Sequence, residues 1–347
     1  MASVVIVGEA WGREEAEARA PFIGSSGRIL NSMLAQVGIR REDCFVTNVL
    51  NFQPTGPRPD NDLANVCGPK SGGVPGYPAL SKGKYLRAEF QSELVRLYRE
   101  IKNEAPTLII ALGASAAWAL LGTSGIKKIR GAPAVLAGPA LNSIGAPIKV
   151  LPTYHPAAVM REMGLRPIVI ADLYKAKREM EFSELRRPAR EIYIEPAIAD
   201  LERFERDFIL PSSDLSIDIE TAGDQITCVG FAPTRDRALV VPFVDPVQRD
   251  GNYWRTLSDE LTAWAYVRKW CALPTARGIG QNHLYDIHRL WRTYGIPILN
   301  ARDDTMLLHH ALQPEMEKGL GFLASIYTEE LPWKFMRQKH ETLKKED

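Results

Sequence analysis

Four side chains in the second half of the chain have the types and spacing of a phosphodiester-cleaving site. Asp218 and Glu220 close an apolar run at 215–217 with one residue between them. On a strand, where side chains alternate, both carboxylates face the same way and could grip a pair of divalent cations. Further on, Gly280-Gln281-Asn282-His283-Leu284-Tyr285-Asp286 supplies Asn282 and a third acid, Asp286, on a helix expected to start near Tyr285. Acids converging from a strand and a helix suit a two-metal clamp for in-line attack, with Mg2+ or Mn2+ ions about 4 Å apart. A lone Asp-x-Glu is ordinarily a solvated strand end; the second motif, in the right order, sets this one apart.

The first half carries a different chemistry. Gly8-Glu9-Ala10-Trp11-Gly12 follows one apolar run, Thr47-Asn48-Val49 ends a second, and Thr153-Tyr154-His155-Pro156 ends a later one, while Pro21-Phe22-Ile23-Gly24-Ser25-Ser26-Gly27 lies in a loop. Gathered in one pocket, these groups could handle a pyrimidine base. Phe22 would stack on the extruded base and Asn48 would read its edge, while His155 stabilises charge on the departing base and Glu9 positions water. Singly, each has a plain structural explanation: a core phenylalanine, a turn asparagine, a histidine before proline, a helix-start acid.

The elements that would position them alternate. Apolar runs at 4–7, 45–46, 108–112 and 150–151 read as short buried strands, and amphipathic stretches at 27–37, 88–102, 114–121 and 168–180 as helices. That order predicts a parallel sheet between helices, with ligands at the carboxyl ends of the strands, where the four groups lie. Residues 182–212 combine charge, prolines and a short helical pattern at 197–208, and read as a structured linker with a short helix between a domain at 1–181 and a second at 213–347. No internal repeat or low-complexity tract is present.

Composition sets outer limits. The 347 residues, 45% hydrophobic and 24% charged, have the balance of a globular protein of two domains. A net charge of +1 does not advertise a nucleic-acid binder, although binding depends on where charge lies. No apolar run approaches the ~20 residues of a membrane span, and Met1 opens directly on a strand, so no membrane partner and a cytoplasmic setting are expected. Cys44, Cys67, Cys228 and Cys271 show no Cys-x-x-Cys spacing, which argues against a disulfide scaffold or zinc ribbon.

Six ordered stretches, 8–12, 21–24, 47–54, 112–116, Arg130-Gly131 and His155-Pro156, resemble the uracil-DNA glycosylase superfamily, most closely its family-4 branch, over residues 3–180. The resemblance implies a glycosylase-like α/β/α sandwich with a short parallel sheet that binds uracil-containing or single-stranded DNA. In it Glu9 orients water, Phe22 stacks, Asn48 reads the base and His155 stabilises the uracil anion. A wedge is implied near Val159 and Met160, with Arg161 reaching phosphate and Ser25, Ser26 and Gly27 holding a phosphate at a helix start. Two departures stand out. Trp11 replaces the family's proline, filling or adding a stacking face to the uracil site. The branch also carries an iron-sulfur cluster on four cysteines, and with no cysteine before Cys44 none is expected here.

Residues 213–330 resemble the 3'-5' exonuclease domain of A-family DNA polymerases, a ribonuclease H-like fold with a mixed sheet. Asp218 and Glu220 supply its first motif, Asn282 and Asp286 its second, and Asp304 to Leu307 and Leu320 to Ala324 match its later helices. The family's third motif, Tyr-x-x-x-Asp, has no counterpart, the only acids after Tyr327 with any such role being in the tail at 339–347. The resemblance thus implies the front part, or a split subunit, of a phage-type polymerase, with a polymerase polypeptide supplying the missing motif. One expectation is an enzyme that excises uracil and trims 3' ends. Another is a non-catalytic uracil or single-strand binding module docked to a polymerase, and a third is inert scaffolding, against which the three retained acids speak.

Overall fold

Strands buried on both faces need apolar residues at every position, and the first half of the chain supplies them. The computed structural model describes residues 4–123 and 125–330. In its first sheet, Val5, Val7, Ile109, Ala111 and Val150 point into one core, while Val4, Ile6, Leu108, Ile110 and Leu151 point into another. This two-sided burial explains why these strands read as continuous apolar runs rather than alternating ones. The strands are β1 (Val4–Ala10), β2 (Cys44–Leu50), β3 (Leu108–Leu112), β4 (Ala134–Val135) and β5 (Lys149–Thr153), in the order β2-β1-β3-β5-β4. All neighbours are parallel except the edge strand β4. Helices α1 (Arg13–Ala18), α2 (Ser25–Val37), α3 (Gln91–Glu104), α4 (Gly113–Leu121), α5 (Pro156–Arg161) and α6 (Arg166–Glu179) accompany it, giving the expected α/β/α arrangement.

The second sheet shows the opposite burial pattern. It comprises β6 (Glu191–Tyr193), β7 (Asp214–Ala222), β8 (Gln225–Ala232), β9 (Arg237–Pro242), β10 (Arg277–Gly280) and β11 (Ala301–Asp304), ordered β11-β10-β7-β8-β9-β6. β7, β8 and β9 form an antiparallel meander, and β10 and β11 run parallel to β7, a mixed sheet of the ribonuclease H-like kind. Along β7, Leu215, Ile217 and Ile219 are buried while Ser216, Asp218 and Glu220 are exposed. Period-two alternation thus sets both predicted acids on one face. Helices α7 (Ile198–Phe204), α8 (Leu257–Cys271), α9 (Leu284–Tyr294) and α10 (Thr305–Leu312) belong to this unit.

The division between the units differs from the boundary read in the sequence. Among the described residues, one compact unit joins those at 4–186 with those at 321–330, and the other runs from Arg187 to Leu320. The stretch expected as a structured linker with a short helix is mostly part of the second unit: β6 pairs with β9, and Leu201, Phe204 and Ile209 lie in one core with Leu215 and Val229. At the other end, α11 (Leu320–Tyr327) packs with the first unit, although it resembles a nuclease helix in sequence. Buried Arg130 donates to Ser325 Oγ at 2.8 Å, and Lys175 Nζ donates to the carbonyls of Ser325, at 2.7 Å, and Thr328. Arg130 is also paired with fully buried Asp172 at 2.6 Å. The two cations therefore meet the carbonyl end of α11, where unsatisfied acceptors and the negative end of the helix dipole lie.

Candidate active site

The parallel register of the first sheet decides which side chains meet. Gly8 lies beside Asn48 and Val7 beside Ala111, so Glu9, Asn48 and, just past β5, His155 leave the sheet at the same edge. With Phe22, Trp11 and Arg161 they line a cavity of about 320 Å³, the size of a small-molecule site.

Phe22 is held in a strained pose. Its φ of 55° is left-handed, a conformation that costs a non-glycine residue free energy and persists only where neighbours enforce it. Gly27 packs so tightly beneath it that a Cβ there would come within 1.8 Å of the Phe22 carbonyl oxygen. Glu15, which also lines the cavity, accepts a hydrogen bond from Gly24 N at 3.0 Å and tethers the same loop. Gly8 must likewise lack a side chain, since its Cβ would lie 2.4 Å from the Phe22 ring and 2.2 Å from Asn48 Oδ1.

Asn48 is 1% exposed, and Arg96 fixes its backbone by donating to the Asn48 and Val49 carbonyls at 2.8 and 3.2 Å. Among the described residues its buried Oδ1 has no hydrogen-bond partner. His155 Nδ1 accepts from Ala157 N at 3.1 Å, which places the ring proton on Nε2. Burial, helped by the Arg161 charge, pushes its pKa down to about 4, so the ring is a neutral N–H donor at ordinary pH. Its centroid is 5.6 Å from that of Phe22. Burial raises the Glu9 pKa, against the hydrogen bond from Ser115 and the charge of Arg161.

The remaining predicted DNA contacts separate. Val159 is fully buried in the apolar core, so it does not serve as the expected wedge; its helix turns that face inward and leaves Met160, 46% exposed, facing out. Arg161 lines the cavity. Ser26 also lines it, whereas Ser25 Oγ accepts from Arg28 at 2.7 Å and Gly27 is buried under Phe22. Trp11 lines the cavity and its backbone N–H donates to Phe52 O at 3.2 Å. Sequence reading missed Glu15 and Ser115, which touch the site through loop geometry and through a partner distant in sequence.

The acids of the second unit are less completely assembled. Asp218 and Glu220 are exposed on β7, but Asp286, in the first turn of α9, is buried and its Oδ1 accepts from Ile219 N at 3.0 Å. Burial, aided by the nearby Asp218 charge, pushes the Asp286 pKa up to about 7. Asn282 stands before α9 with φ 54°, and its N–H and that of His283 donate to Asp304 at 3.0 and 2.9 Å. Among the described residues no group of three His, Cys, Asp or Glu is placed to hold a metal ion. As arranged, these acids do not fit the divalent pair their spacing implies. The tail acids at 339–347 lie outside the described residues.

Residues 1–180 match the Uracil DNA glycosylase superfamily. The chain belongs to the uracil-DNA glycosylase superfamily. It is 33% identical over 179 residues to the type-4 uracil-DNA glycosylase of Thermotoga maritima, covering 50% of this chain and 76% of that protein. It is 31% identical over 180 residues to that of Archaeoglobus fulgidus, covering 50% and 75%. Among solved structures, the EXD2 exonuclease domain soaked in Mg is 16% identical over 35% of this chain and 59% of that one, with a TM-score of 0.26. The chain thus spans less than two thirds of that structure.

The iron-sulfur cluster implied by the family-4 resemblance finds no donor set in the glycosylase unit. Only Cys44 and Cys67 lie there, in separate strands, and burial pushes the Cys44 thiol up to about 11 and raises that of Cys67, which disfavours the thiolates a cluster needs. The region between Cys67 and Leu86 is packed with Val74 and Tyr77 instead, the Tyr77 ring lying 4.5 Å from that of Trp118.

Proposed function

We propose that the first unit hydrolyses the bond between uracil and deoxyribose in DNA. The observation that carries this reading is the single cavity in which Glu9, Phe22, Asn48 and a neutral, Nε2-protonated His155 meet. The extruded base stacks on Phe22, and Asn48 offers its unpartnered acceptor to the base N–H. As the C1'–N1 bond breaks, its electron pair goes to N1 and spreads onto the base carbonyls, where the Nε2–H of His155 donates. A neutral donor matches an anionic leaving group without a buried cation that would need its own partner. The Glu9 carboxylate orients a water whose oxygen bonds to C1' and accepts the proton it loses. Arg161, at the cavity wall, is suited to a flanking phosphate.

For the second unit, we read a nucleic-acid binding and docking module that works beside an A-family polymerase. The order Asp218, Glu220, Asn282, Asp286 supports kinship with proofreading domains, while the commitment of Asp286 to Ile219 N argues against a free-standing nuclease. The test uses the full chain with a uracil-containing single strand. Free uracil should appear, and Glu9→Gln and His155→Ala should each slow its release by about 100-fold or more. No uracil at any enzyme excess refutes the first reading and leaves a binding role. Brisk Mg2+-dependent loss of 3' ends, abolished by Asp218→Ala, refutes the second.

A further inference from the structure

We infer that Ser115 is a positioning residue for the reaction: through its hydroxyl it holds the Glu9 carboxylate, ionised and correctly aimed, at the floor of the base cavity. This rests on the glycosylase reading above. Glu9, next to last in its strand, is partly buried, and a carboxylate in such a place tends to take up a proton and cease to orient water.

The fold meets that difficulty from the neighbouring strand. β1 and β3 pair in parallel with Val7 beside Ala111, so the chain two residues past Val7 faces the turn four residues past Ala111. That turn is tight: Gly113 has φ +88°, and a Cβ there would come 3.0 Å from the His155 side chain. It opens directly into α4, putting Ser115, 3% exposed, in the first turn. Ser115 Oγ donates to Glu9 Oε2 at 2.5 Å, across 106 residues of sequence. A hydroxyl donating to a carboxylate favours its charged form, and the start of α4 adds a favourable dipole.

The other charges around Glu9 pull both ways. Arg161, on α5, favours the carboxylate, and Asp62, from the loop after β2, opposes it. Glu15 and the neutral His155 share the cavity lining but hold their own partners, Gly24 N and Ala157 N. Ser115 is therefore the one uncharged group directly bonded to Glu9 among the described residues, and its loss should register as a change in when Glu9 ionises. A serine needed only for packing would leave that ionisation where it is.

The experiment measures single-turnover uracil release by the full chain from pH 5 to 9 for the wild type, Ser115→Ala and Ser115→Thr. Thermal unfolding of each is followed in parallel. For Ser115→Ala the acid limb should move up by about one pH unit, with the rate falling by up to about tenfold on that limb and recovering towards pH 9. Ser115→Thr, which keeps the hydroxyl, should follow the wild type. A Ser115→Ala rate lowered equally at every pH, or not lowered at all, overturns the inference while leaving the glycosylase reading intact. A wild type that releases no uracil overturns both. If Ser115→Ala fails to fold, the threonine variant and Ser115→Cys, a weaker donor of similar size, must still rank by donor strength in the position of the acid limb.

Discussion

A carboxyl group that keeps its proton near neutral pH ties stability to pH, and Asp286 is such a group. Its folded pKa, pushed up to about 7 chiefly by burial, lies above the ordinary carboxylate value. The stability it contributes is fully present below pH ~4 and is lost as pH rises through about 7. Asp286→Asn keeps an acceptor for Ile219 N and removes the charge. Calorimetry should therefore find the second unit's Tm raised by about 3 °C at pH 8 and little changed at pH 5. At this scale Glu9, Asn48 and His155 stood out in the sequence because each ends or follows an apolar run at one sheet edge, whereas Phe22, in a loop, was marked only by its place in the Pro21-to-Gly24 stretch. Ser115 was not: a serine in an Ala-rich helix gives no sign of a partner 106 residues away. Val159 misled because a six-residue helix is too short for its apolar period to say which residue turns inward.

Between residues and fold lie the caps that set loops in place. Asp304 ends β11, and its two oxygens accept from Asn282 N, His283 N and Met306 N, the last at 2.8 Å. One side chain thus starts α10 and clamps the left-handed Asn282 turn that launches α9. Asp304→Ala should cost the second unit about 2 kcal/mol in denaturant titrations, with its first sign in faster amide exchange at 281–285. An exchange pattern unchanged there would mean that the turn holds itself. In sequence, Asp304 to Leu307 only resembled a later helix of the exonuclease family, and the second loop that Asp304 binds is distant in the chain and leaves no local trace. The strands were easier to read, since continuous apolar runs and strict alternation distinguish a sheet covered on both faces from one with an exposed face.

For the molecule as a whole, the course of the chain matters most. The second unit is inserted in the first, whose last described helix, α11, returns after residue 320. Its apolar run could not declare in sequence which core it would join, because hydrophobicity specifies burial but not address. Leu323, 5% exposed, offers the test. Leu323→Ala should destabilise the glycosylase unit by about 3 kcal/mol and leave the unfolding of the second unit unmoved, read as two calorimetric transitions. A shift confined to the second transition would reassign the helix.

The Arg130–Ser325 contact spans 195 residues of sequence, and this has a temporal side. On a ribosome adding roughly 5–20 residues per second, Arg130 emerges some ~10 to 40 seconds before the serine that will cover it. Asp172 and Lys175 follow Arg130 within that interval, and none of the three can meet Ser325 until the whole of the inserted unit has been made. The first unit therefore starts before the inserted one and gains its helix α11 only after it.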